Sequence, residues 1–182
     1  DKGLKVARVH TGDPAIYGAH REQMDRLDEL GIDYEVIPGV SSFLATAAVL
    51  KKEYTLPGVS QTVILTRMEG RTPMPPKEKL VDLAKHNATM IIFLSVGMLD
   101  EMSAILRQEY RPETPVAVVY KATWEDQKIV RGDLTNIAER VKEAGITKTA
   151  LTVVGDFLGN DYDLSKLYDK TFTTEFRKGV TE

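Results

Sequence analysis

The chain has 182 residues, 42% hydrophobic and 28% charged, enough to bury a real core as one large or two small domains of a soluble globular protein. Lys and Arg number 24 against 27 Asp and Glu, and a net charge of -3 argues against a general nucleic-acid binder, which would need a basic face. The absence of cysteine removes disulfides and thiolate sites and fits a reducing cytoplasm; with no run of membrane-spanning length and no leader pattern, the expectation is a cytoplasmic protein without membrane partners.

Asp1-Lys2-Gly3-Leu4-Lys5 runs straight into Val6-Ala7-Arg8-Val9, read as a strand over 6–10, and so abrupt an entry predicts a start in mid-domain. Thr11-Gly12-Asp13-Pro14-Ala15-Ile16-Tyr17-Gly18 follows and opens a helix-patterned segment over 16–30. Gly12 lets the backbone approach a ligand and Pro14 suits a first helical turn, so loop amides can face a small molecule. Gly-Asp-Pro is equally ordinary turn chemistry. A strand over 34–37 leads into Pro38-Gly39-Val40-Ser41-Ser42-Phe43 and a helix over 42–52. Ser41 or Ser42 can cap that helix, and capping alone, worth about 1 kcal/mol, explains a serine there. Strand–helix repetition predicts parallel strands with right-handed crossovers, and places both loops at carboxyl ends of neighbouring strands, where open α/β sheets bind ligands.

Leu56-Pro57-Gly58-Val59-Ser60 is the best boundary, dividing the chain into domains at 1–57 and 58–182. Beyond it the pattern predicts a strand over 61–66, a proline-rich loop over 67–76 projecting from the sheet edge, a helix over 77–86, a strand over 90–94 and a helix over 99–110. A strand over 116–120 joins 128–131 through the hairpin-like Trp124-Glu125-Asp126-Gln127, making the second sheet mixed. A helix over 133–144, stopped by Gly145, and a strand over 150–154 follow. Aromatics among the last residues, Tyr162, Tyr168, Phe172 and Phe176, predict a tail wrapped on the body. His10, His20 and His86 lack ligand spacing, so no metal site is expected.

The runs Gly12-Asp13-Pro14-Ala15-Ile16-Tyr17-Gly18, Val36-Ile37-Pro38-Gly39-Val40-Ser41-Ser42 and Pro115-Val116-Ala117-Val118-Val119-Tyr120-Lys121-Ala122-Thr123-Trp124 stand in the order found in the tetrapyrrole methyltransferases, which the chain resembles over nearly its whole length. Gln61-Thr62-Val63-Ile64-Leu65-Thr66-Arg67, Glu69-Gly70-Arg71-Thr72-Pro73 and Ser165-Lys166-Leu167-Tyr168-Asp169-Lys170-Thr171-Phe172 resemble the branch that acts on precorrin-4 or cobalt-precorrin-4. The resemblance implies an α/β, two-domain tetrapyrrole methyltransferase fold, its first domain only partly present and its second a mixed sheet flanked by helices. Family members begin with a strand and a Gly-Pro-Gly-Asp-Pro loop that have no counterpart here, so the resemblance implies an amino-terminally truncated enzyme.

The function implied is methyl transfer from S-adenosyl-L-methionine to C-11 of (cobalt-)precorrin-4 in cobalamin biosynthesis, with S-adenosyl-L-homocysteine as product and a homodimer as the usual assembly. Carried over by position, cofactor contacts fall at Thr11, Gly12, Asp13 and Ile16, at Ser41 and Ser42, at Leu94, at Ala122 and at Ala150. Asp13 would favour the cationic end of the cofactor, and Ile16, Leu94 and Ala122 would wall its adenine.

A precorrin sets many carboxylates around an apolar macrocycle, which calls for a trough with basic rims. Arg67 and Arg71 are the first candidates, because arginine grips carboxylates in a bidentate way; Lys121 and Arg131 come second, and Tyr17 is placed to stack on the ring. Alignment can carry most of the catalysis, so no side-chain nucleophile is assigned and the catalytic residues stay unspecified. A sister tetrapyrrole methyltransferase and a non-catalytic ligand-binding module remain as alternatives. A nucleotide-binding regulator has little support without a Lys-containing phosphate loop or a Gly-x-Gly-x-x-Gly run.

Overall fold

Three strands are apolar on both faces, and their alternation sorts two cores. In β2 (Thr89–Phe93) Met90 and Ile92 join one core while Ile91 joins the other. In β3 (Pro115–Tyr120) Val116 and Val118 oppose Ala117 and Val119, and in β5 (Ala150–Val154) Val154 opposes Leu151 and Val153. Period-two alternation with both sides apolar is what a central strand covered on both faces requires. With β1 (Val63–Arg67) and β4 (Lys128–Asp133) they form one five-stranded sheet of order β1-β2-β5-β3-β4. The sheet is mixed as expected, with β1 and β2 parallel and the remaining pairs antiparallel. This computed structural model describes residues 3–180; Asp1 and Lys2 of the predicted abrupt start lie outside the described residues.

Helices α3 (Leu80–Ala84), α4 (Leu99–Leu106) and α5 (Ile137–Glu143) cover one face with Leu80, Met102, Leu106, Ile137 and Val141. The other face receives Leu50 of α2 (Ser42–Leu50), Tyr54 and Phe157. Tyr54 anchors this side: its hydroxyl donates to the Phe43 carbonyl at 2.6 Å, and the Thr89 hydroxyl donates to the Tyr54 carbonyl at 2.9 Å. Burial lifts the Tyr54 phenol well above the usual range.

Several expectations need correction. Residues 6–10 and 34–37 form no strand: Val6 is 88% exposed, Val9 89% and Ile37 73%. Strand propensity needs a neighbouring ladder and a surface to pack on, and neither run pairs with the sheet. The helix expected over 16–30 shrinks to α1 (Arg21–Glu29), because the chain first passes through left-handed conformations at Tyr17 and Ala19. The 77–86 helix is split into a 3-10 turn at Pro76–Glu78 and α3, with extended Lys79 between them. The helix over 99–110 ends at Leu106, and that over 133–144 starts at Ile137, since Asp133 and Asn136 form a hydrogen-bonded turn instead.

The tail touches the body through the Asp163 amide, which donates to the Pro57 carbonyl at 3.0 Å, but it does not wrap. Its later part closes on itself: Arg177 donates to the carbonyls of Leu167, Asp169 and Phe172, leaving Phe176 95% exposed. No described helix is long and apolar enough to cross a membrane.

Candidate functional site

Sheet topology brings the carboxyl ends of β1, β2 and β3 and the amino end of β5 to one edge. Facing that edge are the two proline-glycine loops. One carboxylate fastens them together: Asp13 accepts the Ala15 amide at 2.8 Å through Oδ1 and the Gly39 amide at 2.7 Å through Oδ2. The Gly39 and then the Ala15 hydrogen bond hold the Asp13 carboxyl below its ordinary range, so it stays charged. Gly39 has to be glycine, since a Cβ there would lie 2.2 Å from the Gly12 carbonyl oxygen. Asp13 is therefore a loop clamp as well as part of the cleft lining.

On the opposite wall the backbone turns left-handed at several non-glycine residues: Leu94 after β2, Lys121 and Thr123 after β3, and Thr149 before β5. Such conformations persist only where the surroundings hold them, and they cluster at ligand sites. Buried Ser95 holds the first of these turns, its hydroxyl donating to the Phe93 carbonyl at 2.5 Å and accepting the Met68 amide at 2.9 Å. The Lys121 amide donates to the Thr149 carbonyl at 3.0 Å and joins the other two turns. Leu94 is 76% exposed, which a core residue would not be.

Between these walls runs a cleft of about 1150 Å³. The structure brings together in it Thr11, Gly12, Asp13 and Ile16 from the first loop and Ser41 and Ser42 from the second. Leu94, Ala122 and Ala150 line it from the sheet edge. Of the residues expected to meet a substrate, Tyr17, Arg71 and Lys121 line the cleft. The Tyr17 ring packs on Phe93 with centroids 5.1 Å apart, and desolvation raises its phenol above the ordinary value.

The Arg67 guanidinium donates to the Met68, Thr72 and Pro73 carbonyls and holds the proline-rich loop, outside the cleft lining. Arg131 lies in edge strand β4, likewise outside it. Lys121 lines the cleft, but its ammonium is paired with Asp126 at 2.5 Å. Ser41 occupies the N-cap position of α2 without a side-chain capping bond.

Sequence reasoning missed Arg8, Lys148 and Thr46, all of which line the cleft. Arg8 and Lys148 are isolated cations in sequence; the signal for Lys148 was its place just before a strand whose amino end shares an edge with the carboxyl end of β3. Thr46 is fully buried in α2 and its hydroxyl has no partner among the described residues. The lining thus carries Arg8, Arg71, Lys121 and Lys148 against the single carboxylate Asp13, in a chain of net charge -3. No described group of three His, Cys, Asp or Glu could hold a metal ion.

A mixed sheet whose edge faces clamped glycine loops across a large cleft defines an α/β protein with a candidate ligand-binding cleft. The chain belongs to the tetrapyrrole (corrin/porphyrin) methylases, whose family model matches residues 1–138. It is 62% identical over 180 residues to the cobalt-precorrin-4 C(11)-methyltransferase of Methanocaldococcus jannaschii, a match covering 98% of this chain and 70% of that protein. The solved structure of a cobalt precorrin-4 methyltransferase, a cobalamin biosynthetic enzyme, superposes with a TM-score of 0.82 at 48% identity, over 84% of this chain and 64% of that one. Uroporphyrin-III C-methyltransferase from Thermus thermophilus, crystallised with S-adenosylhomocysteine, shares the fold with a TM-score of 0.66 at 24% identity, and this chain spans 64% of it.

Proposed function

We propose that this chain carries out S-adenosyl-L-methionine-dependent methyl transfer to C-11 of precorrin-4 or cobalt-precorrin-4 in cobalamin biosynthesis. The observation that carries the reading is the cleft itself: amide-rich loops fixed by Asp13 on one side, and a lining with an excess of cations for a substrate rich in carboxylates.

The residues present fit the cofactor. Gly12 and Gly39 allow close backbone approach, and the left-handed Leu94, Lys121 and Thr149 are constrained where a ligand would sit. The buried Thr46 hydroxyl supplies hydrogen-bonding capacity that is unused among the described residues. Thr11, Gly12, Asp13, Ile16, Ser41, Ser42, Leu94, Ala122 and Ala150 form the cofactor side in this proposal, with Tyr17, Arg71 and the newly placed Arg8 and Lys148 on the substrate side. When bound, the cofactor supplies a methyl group on a cationic sulfonium. The protein's own work is to align, to exclude water and to hold the substrate's carboxylates, and alignment can contribute roughly 7 to 11 kcal/mol in favourable cases.

The division at residue 57 belongs to the same proposal, with cofactor loops before it, the sheet after it, and α2 joining the two by packing on the sheet. So do the cytoplasmic location, for which a cysteine-free chain is the support, and the homodimer, which the family resemblance implies. The test offers methyl-labelled S-adenosylmethionine with precorrin-4 and with cobalt-precorrin-4. Label recovered at C-11 of either macrocycle is the expected result. Binding of S-adenosylhomocysteine without transfer to either would move the chain to the ligand-binding alternative.

A further inference from the structure

The run Lys121-Ala122-Thr123-Trp124-Glu125-Asp126-Gln127 holds the chain's single tryptophan, which lines the cleft and is 59% exposed. An exposed indole at the mouth of a cleft is unusual on a surface and is stable here because the loop is locked. The Trp124 amide donates to the Lys121 carbonyl at 3.0 Å, the Gln127 amide to the Trp124 carbonyl at 3.1 Å, and the Thr123 amide to Gln127 Oε1 at 2.7 Å.

The Lys121 ammonium completes the lock. It stands 5.3 Å from the Trp124 ring centroid and 5.1 Å from that of Tyr120, while paired with Asp126. Its side chain is only 25% exposed, and its charge is already met, so it has little to offer a substrate carboxylate. The cleft's other cations, Arg8, Arg71 and Lys148, form no ion pair among the described residues. The lining thus offers both uncommitted charge and an apolar ring face, as an amphipathic macrocycle needs.

We infer that Trp124 is a packing platform for the apolar body of the tetrapyrrole, and that Lys121 and Asp126 are positioning residues that fix the indole. This rests on the proposed tetrapyrrole substrate. An indole face contributes area and π contact without a set of directed hydrogen bonds, and a tetrapyrrole offers it more apolar surface than an adenine does, so loss of the indole falls mainly on the macrocycle.

The probe is uroporphyrin III, a stable polycarboxylate macrocycle, titrated against wild type, Trp124→Ala and Trp124→Phe and followed by its own Soret absorbance. S-adenosylhomocysteine affinity is measured in parallel by calorimetry, and circular dichroism confirms folding. Trp124→Ala is expected to weaken porphyrin binding about tenfold and Trp124→Phe about twofold, with S-adenosylhomocysteine affinity unchanged. Wild-type porphyrin affinity in the alanine variant, or an equal loss of both ligands, overturns the platform. A wild-type protein that binds S-adenosylhomocysteine but gives no Soret change overturns the platform, whereas the tetrapyrrole reading is decided separately by whether methyl label reaches C-11.

Discussion

The sheet and the loop-rich first forty residues start from similar sequence material and end in opposite states. Val6-Ala7-Arg8-Val9 and Tyr34–Ile37 have the β-branched, apolar look of Thr89–Phe93, yet only the last is a strand. β2 has β1 and β5 as neighbours and a core on each face; residues 6–10 and 34–37 have no ladder, and all of them but half-buried His10 stay exposed. Strand formation is thus a property of pairing, decided by what lies beside a segment rather than by the segment. The cleft lies between the two regions, with a rigid wall from the sheet edge and a wall of loops whose shape depends on one carboxylate clamp.

The largest effect separates the regions directly. Leu106→Ala in the fully buried core is expected to cost about 2–5 kcal/mol, whereas Val6→Ala should stay within about 0.5 kcal/mol, both read from urea midpoints. Comparable losses would show that the first forty residues contribute to the core after all.

Gly39→Ala acts on the loop wall, where the new Cβ meets the Gly12 carbonyl, and is expected to cost about 1–3 kcal/mol and to weaken S-adenosylhomocysteine binding. Thr46→Val removes a buried hydroxyl without a partner among the described residues, so stability should be unchanged or rise by up to about 1 kcal/mol while cofactor affinity falls. A stability loss on that change would mean that the hydroxyl is used within the protein.

The smallest effect is one of pH. Because the Asp13 pKa is lowered on folding, its contribution is fully present above the ordinary carboxylate value of about 4 and is lost as pH falls through the lower folded value. Asp13→Asn should flatten that acid limb in the melting temperature.

The sheet was legible because its strands are apolar on both faces; the strand over 150–154 has the expected bounds, and the hairpin through Trp124 correctly implied a mixed sheet. The cleft loops were legible as glycine-proline turns. What joins them was not, since Asp13 and Gly39 are 26 residues apart and nothing local marks the pair. The structural part of Arg67 was not legible, because a guanidinium beside a proline-rich loop serves equally well to meet a ligand or to satisfy that loop's carbonyls, as it does here. The tail misled for a related reason: its aromatics sit on a segment that Arg177 folds against itself.

The central claim, that the clamped loops and the sheet edge form one cofactor site, is tested most directly by titrating isotope-labelled protein with S-adenosylhomocysteine and following backbone amide resonances. Saturable shifts confined to the neighbourhoods of Gly12, Ser42, Leu94 and Ala122, with β4 and α5 unmoved, are the predicted result. Saturable shifts centred on β4 or α5, or no shifts at all, would contradict it.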